Sequence, residues 1–330
     1  MSYLSKSLQI GPLTLKNRLI MPPMATAQAD AGGKVSRALL DYYMEKAASC
    51  CFSLIIIEHS YIQTSGKASK NQLSVADDIV LPGLQKLSET IRRNATKAVM
   101  QINHAGSATD ADITGSMPVG PSAVKNPRLG GIPHELTKSE IAGIVDAFRE
   151  AAIRVKQAGF DGVEIHSAHG YLLNQFFSPL TNKRADEYGG NVHNRIRIHL
   201  QVIEAVRAAV GDGFPLFLRL GAADYMEGGT TLEDCRSAVR EFEKAGVNVL
   251  DISGGFSGYT VPGHNEQGYF APLSAAVKQV VSIPVILTGG IVDVVAAEQL
   301  LAEQKADLIG VGRAVLRDPE WPKNAFQSLA

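Results

Sequence analysis

Apolar residues fall in short runs of strand length, bounded by turn-forming or charged residues, along almost the whole chain. Eight runs stand out, at 18–21, 53–58, 97–102, 162–166, 216–220, 249–253, 284–288 and 307–311. They are rich in Val, Ile and Leu and apolar on both faces, the pattern of parallel strands covered on each side. Between them the period lengthens to that of an amphipathic helix. Residues 36–49 align Leu39, Leu40, Tyr43 and Ala47 on one stripe. Residues 136–157 align Ile141, Ile144, Val145, Phe148, Ala152 and Val155, and Thr137 with Glu140 supplies a capping box. Helical patterns recur over 191–210, 231–244, 271–280 and 292–303, and Gly159 and Gly246 mark helix ends just before strands.

Eight strands alternating with helices predict an α/β fold, a TIM-type (β/α)8 barrel occupying residues 1–330 as one domain. An open doubly wound sheet would place G-x-G-x-x-G after its first strand, where this chain reads Pro22-Pro23-Met24. The connection 105–135, rich in Gly, Pro, Ser and Asp, is too long for an ordinary turn and predicts a long irregular capping loop after strand three.

Charge narrows the partners. Of 330 residues, 32 are Lys or Arg and 33 are Asp or Glu, a net charge of −1. Nucleic acid and anionic membrane are not expected, because phosphate affinity needs clustered excess cation. Cys50, Cys51 and Cys235 make no disulfide framework and lack zinc spacing, which fits a reducing cytoplasm. No apolar stretch approaches the roughly 18 residues of a membrane span, and the N-terminal sequence has no apolar signal core. A cytoplasmic globular protein is the expectation.

A barrel of this type carries its site at the C-terminal ends of the strands. Here those ends hold Pro23, Thr26, Glu58, His59, Gln101, Asn103, His104, His166, His169, Arg219, Ser253, Gly289, Gly290, Gly312 and Arg313. The glycine pairs after strands seven and eight let backbone N–H groups approach a ligand, and Arg313 adds a forked cation, so a phosphate site is favoured over plain tight turns. Arg219, at an inward position, needs either an anionic or electron-rich ligand or a structural ion pair with Glu164 or Asp251. His166 and His169 can converge on a substrate oxygen while Tyr171 delivers a proton; the alternative is two histidines satisfied by backbone carbonyls. A metal centre is not expected, since no third ligand stands nearby.

The run HSAHGYLLNQFFSPLTNKRADEYGGNVHNRIR at 166–197 is long and specific. With NRLIMPPM at 17–24, QINHAG at 101–106, RLGAADY at 219–225 and GVGRAVLRDP at 310–319, it resembles the Old Yellow Enzyme family of FMN-dependent oxidoreductases, most closely the short bacterial NADH:flavin oxidoreductases. The resemblance covers nearly the whole chain. It implies non-covalent FMN, with Gln101 on the pyrimidine edge of the ring, Arg219 near its N1 side, and Pro23 and Ala25 packed along it. Gly289, Gly290, Gly312 and Arg313 would hold the phosphate. NADH or NADPH would reduce the flavin and leave. His166 and His169 would then bind the oxygen of an activated alkene, or of a quinone, and Tyr171 would protonate the α-carbon. A homo-oligomer is also implied.

The chain departs from the family pattern at Ala25 and Ala27, where Cys and Tyr are common, and at His59, where a small residue is common. The first two departures leave a catalytically impaired flavin barrel as one alternative. A non-flavin phosphate-binding barrel, such as an aldolase or isomerase, is another; it would want a lysine or acid–base carboxylates at strand ends, and no lysine stands at those named above. Iron–sulfur ligation, known in larger relatives, finds no cysteine cluster here.

Overall fold

The computed structural model describes residues 2–128 and 131–329. Strands β1 (Leu19–Met21), β2 (Leu54–Tyr61), β3 (Lys97–Asn103), β4 (Gly162–Ser167), β5 (Leu216–Ala223), β6 (Val249–Gly254), β7 (Val285–Thr288) and β8 (Leu308–Gly310) pair in that order. All are parallel, and β8 closes onto β1. Each predicted strand is present.

Side-chain parity divides the strands between two cores. Ile20, Leu54, Ile56, Val99, Phe217, Val249, Ile286 and Leu308 point into the barrel as one apolar cluster. Their neighbours Leu19, Ile55, Ile57, Met100, Ile165, Leu218, Leu250 and Leu287 pack outward under the helices. A strand repeats its facing every two residues. Followed upward, the inward face passes from Ile56 to Glu58, from Val99 to Gln101 and Asn103, and from Phe217 to Arg219. It also passes from Val249 to Asp251 and Ser253, and from Ile286 to Thr288. The lumen is thus apolar at the N-terminal ends of the strands and polar at the C-terminal ends.

A hairpin of Leu8–Ile10 and Leu13–Leu15, its strands too short to show a period in the sequence, turns at Gly11 with φ +52°. Its Ile10, Leu13 and Leu15 join the inner cluster and stop the lower end of the barrel.

The surrounding helices are α1 (Arg37–Ala48), α2 (Leu81–Arg92), α3 (Lys138–Gln157), α4 (Arg197–Val210), α5 (Leu232–Lys244), α6 (Ala271–Lys278), α7 (Val294–Ala302) and the short α8 (Arg313–Arg317). Both bonds of the predicted Thr137–Glu140 capping box are formed, and Thr231 with Asp234 repeats the device on α5. The predicted helix at 191–210 is divided at Ile196 into Val192–Arg195 and α4. α2 was not predicted. Its Pro82 and Gly83 look like a break, yet proline is tolerated in a first turn, and Leu84, Leu87 and Ile91 are buried behind it.

Among its described residues the 105–135 connection holds only a short helix, Ala111–Thr114, and a pairing of Val119–Gly120 with His134–Glu135. Residues 129 and 130 of this predicted loop lie outside the described residues, as do residues 1 and 330 of the predicted domain. Gln175 Nε2 donates to the Ala105 carbonyl at 2.9 Å, and Arg184 Nη1 to those of Pro121 and Leu136 at 2.9 and 2.6 Å. These bonds tie the loop to the segment after β4, at the polar end of the barrel. Among the described residues no helix is long and apolar enough to cross a membrane.

Candidate active site

Strand register assembles the floor of the site. Gln101 on β3 pairs with Glu164 on β4, and its Nε2 donates to Glu164 Oε1 at 2.7 Å. Arg219 on β5 pairs with His166 on one side and Asp251 on the other, with its Nε 3.4 Å from Asp251 Oδ2. The structural ion pair weighed for Arg219 therefore exists, but it does not satisfy the cluster. Glu164 and Asp251 are both fully buried around one guanidinium. Burial pushes the Asp251 carboxyl up to about 6 despite Arg219. Glu164 is held well above the usual carboxylate range, first by burial and then by the charge of Asp251.

The histidine cluster sits beside this floor. His166 is the penultimate residue of β4, and a tight turn through His169 (φ +59°) and Gly170 (φ +76°) folds the chain back toward it. The His166 and His169 rings lie 5.0 Å apart, edge to face, and Tyr171 packs 5.1 Å from His166. His169 Nε2 is 2.8 Å from Ser253 Oγ, and its carbonyl accepts a hydrogen bond from Arg128 Nη1 of the capping loop at 2.8 Å. Burial holds both imidazoles well below their ordinary range, so both are neutral at physiological pH. Burial likewise raises the Tyr171 phenol, which keeps its proton.

The glycines after β7 and β8 line the far side. A Cβ on Gly290 would stand 2.8 Å from the Tyr269 ring, and one on Gly312 would stand 2.9 Å from Met24 Sδ. Only glycine brings the backbone this close. Arg313 Nη2 donates to Tyr269 Oη at 3.0 Å, and that hydroxyl donates to the Tyr259 carbonyl at 2.6 Å.

His104 is buried away from the cluster: its Nδ1 accepts from Gly106 N, and a Cβ on Gly66 would collide with its ring. Glu58 is buried beneath Thr26 N and Tyr43 Oη, at 3.3 and 3.4 Å, and burial raises it to about 7. His59 packs 6.2 Å from His166 and 5.3 Å from Tyr171, so a third imidazole belongs to the cluster. Its partner Gln72, thirteen residues on, carries no signal in the sequence.

Several buried polar atoms have no hydrogen-bond partner among the described residues: Arg219 Nε, Glu164 Oε2, both carboxylate oxygens of Asp251, both amide atoms of Asn103, and Thr288 Oγ1. Buried groups of this kind are ordinarily paired, and their concentration on one surface is what a polar ligand would require. Chemically, the arrangement offers neutral donors for an oxygen, a retained phenolic proton, and a cation beneath them.

The sequence matches the profile of the NADH:flavin oxidoreductase / NADH oxidase family over residues 4–330. An NADH oxidase of Thermoanaerobacter brockii is 44% identical over 323 residues, covering 96% of this chain and 50% of that protein. This chain therefore spans about half the length of that relative. An NADPH dehydrogenase of Halalkalibacterium halodurans is 38% identical over 320 residues, covering 96% of this chain and 92% of that protein. Among solved structures, an old yellow enzyme homologue from Zymomonas mobilis superposes with a TM-score of 0.87 at 25% identity, covering 99% of this chain and 93% of that one.

Proposed function

The chain belongs to the NADH:flavin oxidoreductase / NADH oxidase family, and from that premise we propose that it uses FMN and NAD(P)H to reduce the activated C=C bond of α,β-unsaturated carbonyl or related compounds, quinones included. The residues at the polar mouth fit FMN. Arg219 Nε, ion-paired with Asp251 but without a hydrogen bond, the unpartnered Thr288 Oγ1 and the crowded glycines 290 and 312 describe a cradle for a ligand with both polar edges and an anionic end.

In this reading Gln101 would hold the pyrimidine edge of the ring, Arg219 would supply positive charge that favours its reduction, and Pro23 and Ala25 would pack along it. Gly289, Gly290, Gly312 and Arg313 take the phosphate, Arg313 through charge-assisted bonds from a forked guanidinium. When bound, FMN would supply the hydride transfer, from the nicotinamide to the β-carbon of the alkene.

The remaining chemistry belongs to the chain. His166 and His169 hold the carbonyl oxygen, on which negative charge grows as the alkene is reduced, and neutral imidazoles can only donate there through a protonated nitrogen. Losing one such donor typically costs ~10²–10³ in rate. Tyr171, protonated and packed on His166, delivers a proton to the α-carbon.

The observation that carries this reading is the His166–His169–Tyr171 cluster, with His166 in register beside Arg219. Anaerobic spectroscopy tests it. The FMN-loaded protein should bleach with NADH or NADPH and regain its colour on addition of 2-cyclohexenone. No bleaching would remove the oxidoreductase reading, and bleaching without recovery would remove the alkene as acceptor. One relative is called an NADH oxidase and another an NADPH dehydrogenase, so both nicotinamides belong in the assay.

A further inference from the structure

β2 is irregular where it meets the pocket. Its pairing with β3 slips between Ile57 and Ser60, leaving Glu58 and His59 on a bulge. Bulges re-aim side chains, and they are common beside active sites. Here the bulge sets the His59 ring against both His166 and Tyr171.

Gln72 fixes which nitrogen of that ring carries the proton. Its Oε1 accepts from Ala68 N at 2.6 Å, so its Nε2 must face His59, where it donates to the backbone carbonyl at 3.0 Å and lies 2.6 Å from Nδ1. An amide nitrogen cannot accept, so Nδ1 accepts and the proton sits on Nε2. Burial, with Arg219 nearby, lowers the imidazole to about 4, so the ring is neutral and this tautomer persists at physiological pH. Nε2 has no hydrogen-bond partner among the described residues, yet it is not one of the sealed polar atoms. It is an uncharged donor open to the pocket.

Geometry separates this donor from the other two. The His166 and His169 rings, 5.0 Å apart at 73°, can converge on one oxygen. His59 lies 6.2 Å from His166 with the planes only 26° apart, so it stands beside that pair rather than converging with it. We propose that His59 donates a hydrogen bond to a second carbonyl oxygen of the substrate, and that the pocket thereby selects ene-diones and quinones over compounds with a single carbonyl. This rests on the reading that the pocket takes activated alkenes, and it names the class of alkene.

The test compares cyclohex-2-ene-1,4-dione with cyclohex-2-enone in the FMN-loaded enzyme, and their saturated counterparts, cyclohexane-1,4-dione and cyclohexanone, in equilibrium binding. His59→Ala should lower the dione-to-enone ratio of kcat/KM about three- to tenfold, the effect of one hydrogen bond between neutral groups. The ratio of the two binding constants should fall in the same direction. His59→Gln, which restores an N–H donor, should recover part of both. An unchanged ratio in turnover and binding would overturn the proposal. Dione selectivity in binding that His59→Ala abolishes, without turnover of either alkene, would support the donor while removing the alkene-reduction reading. Nitrogen-15 spectra of the wild-type imidazole should show a bare Nδ1 and a protonated Nε2 near pH 7, and a protonated Nδ1 would also overturn the proposal.

Discussion

Arg219 and Asp251 face each other in register on β5 and β6, Nε to Oδ2 at 3.4 Å, while a second buried carboxyl, Glu164, approaches the same cation from β4. The guanidinium is ion-paired with Asp251 and lies within electrostatic reach of Glu164. Removing it leaves the acids buried without a counter-charge, whereas removing Asp251 leaves Arg219 still facing Glu164.

Arg219→Met should accordingly cost about 3–5 kcal/mol of folding stability, the usual consequence of breaking a buried ion pair by deleting one partner. Asp251→Asn should cost clearly less. Urea unfolding of the two variants checks the order, and equal losses would mean that Glu164 does not share the cation.

Tyr171→Phe should slow reoxidation of the reduced protein by an enone about 10²–10⁴-fold, the range for removing a general acid. Reduction by the nicotinamide should be nearly unchanged. Stopped-flow measurement of the two half-reactions separates them; equal losses in both would assign Tyr171 to packing against His166 and His59 instead.

Arg313→Ala should weaken FMN retention by about ten- to hundredfold, as expected for a charge-assisted bond. Tyr269→Phe, which removes only the hydroxyl that accepts from Arg313, should have a smaller effect in the same direction. Equilibrium dialysis against FMN measures both. Full retention in Arg313→Ala would move the phosphate elsewhere.

Glu58 makes stability depend on pH. Its folded value of about 7 lies above the ordinary 4.5, so folding favours the protonated form. That contribution is complete below about pH 4.5 and is lost as pH rises through about 7. Glu58→Gln, permanently neutral, should therefore gain on the wild type across this interval by about 3 kcal/mol. Thermal unfolding of both proteins at pH 5 and pH 8 provides the comparison, and parallel curves would show that Glu58 ionises freely.

The barrel was legible because strand parity writes itself into the sequence twice. Val99-x-Gln101-x-Asn103 and Val249-x-Asp251-x-Ser253 announce both the inward face and the point where it turns polar. Residues 166–171 were legible for a related reason: a strand end and a tight turn place them together without help from distant segments. What escaped depended on partners far along the chain or on very short elements. The hairpin strands have three residues each, too few to show a period. α2 hid behind Pro82 and Gly83. His104 shares its strand end with Asn103 but points the other way, into Gly66 and Gln63, which no local pattern reveals. The proton position on His59 is set by Gln72 across an irregular loop, a contact that only the folded chain makes.

Ile10, Leu13 and Leu15 close the lower end of the barrel among the described residues, which leaves the polar end for the proposed reactants. On the proposed reading, the hydride donor and the compound to be reduced would then take turns there, neither entering from beneath while the other is in place. Initial rates at several fixed acceptor concentrations should give parallel double-reciprocal lines, and a large excess of either reactant should crowd out the other.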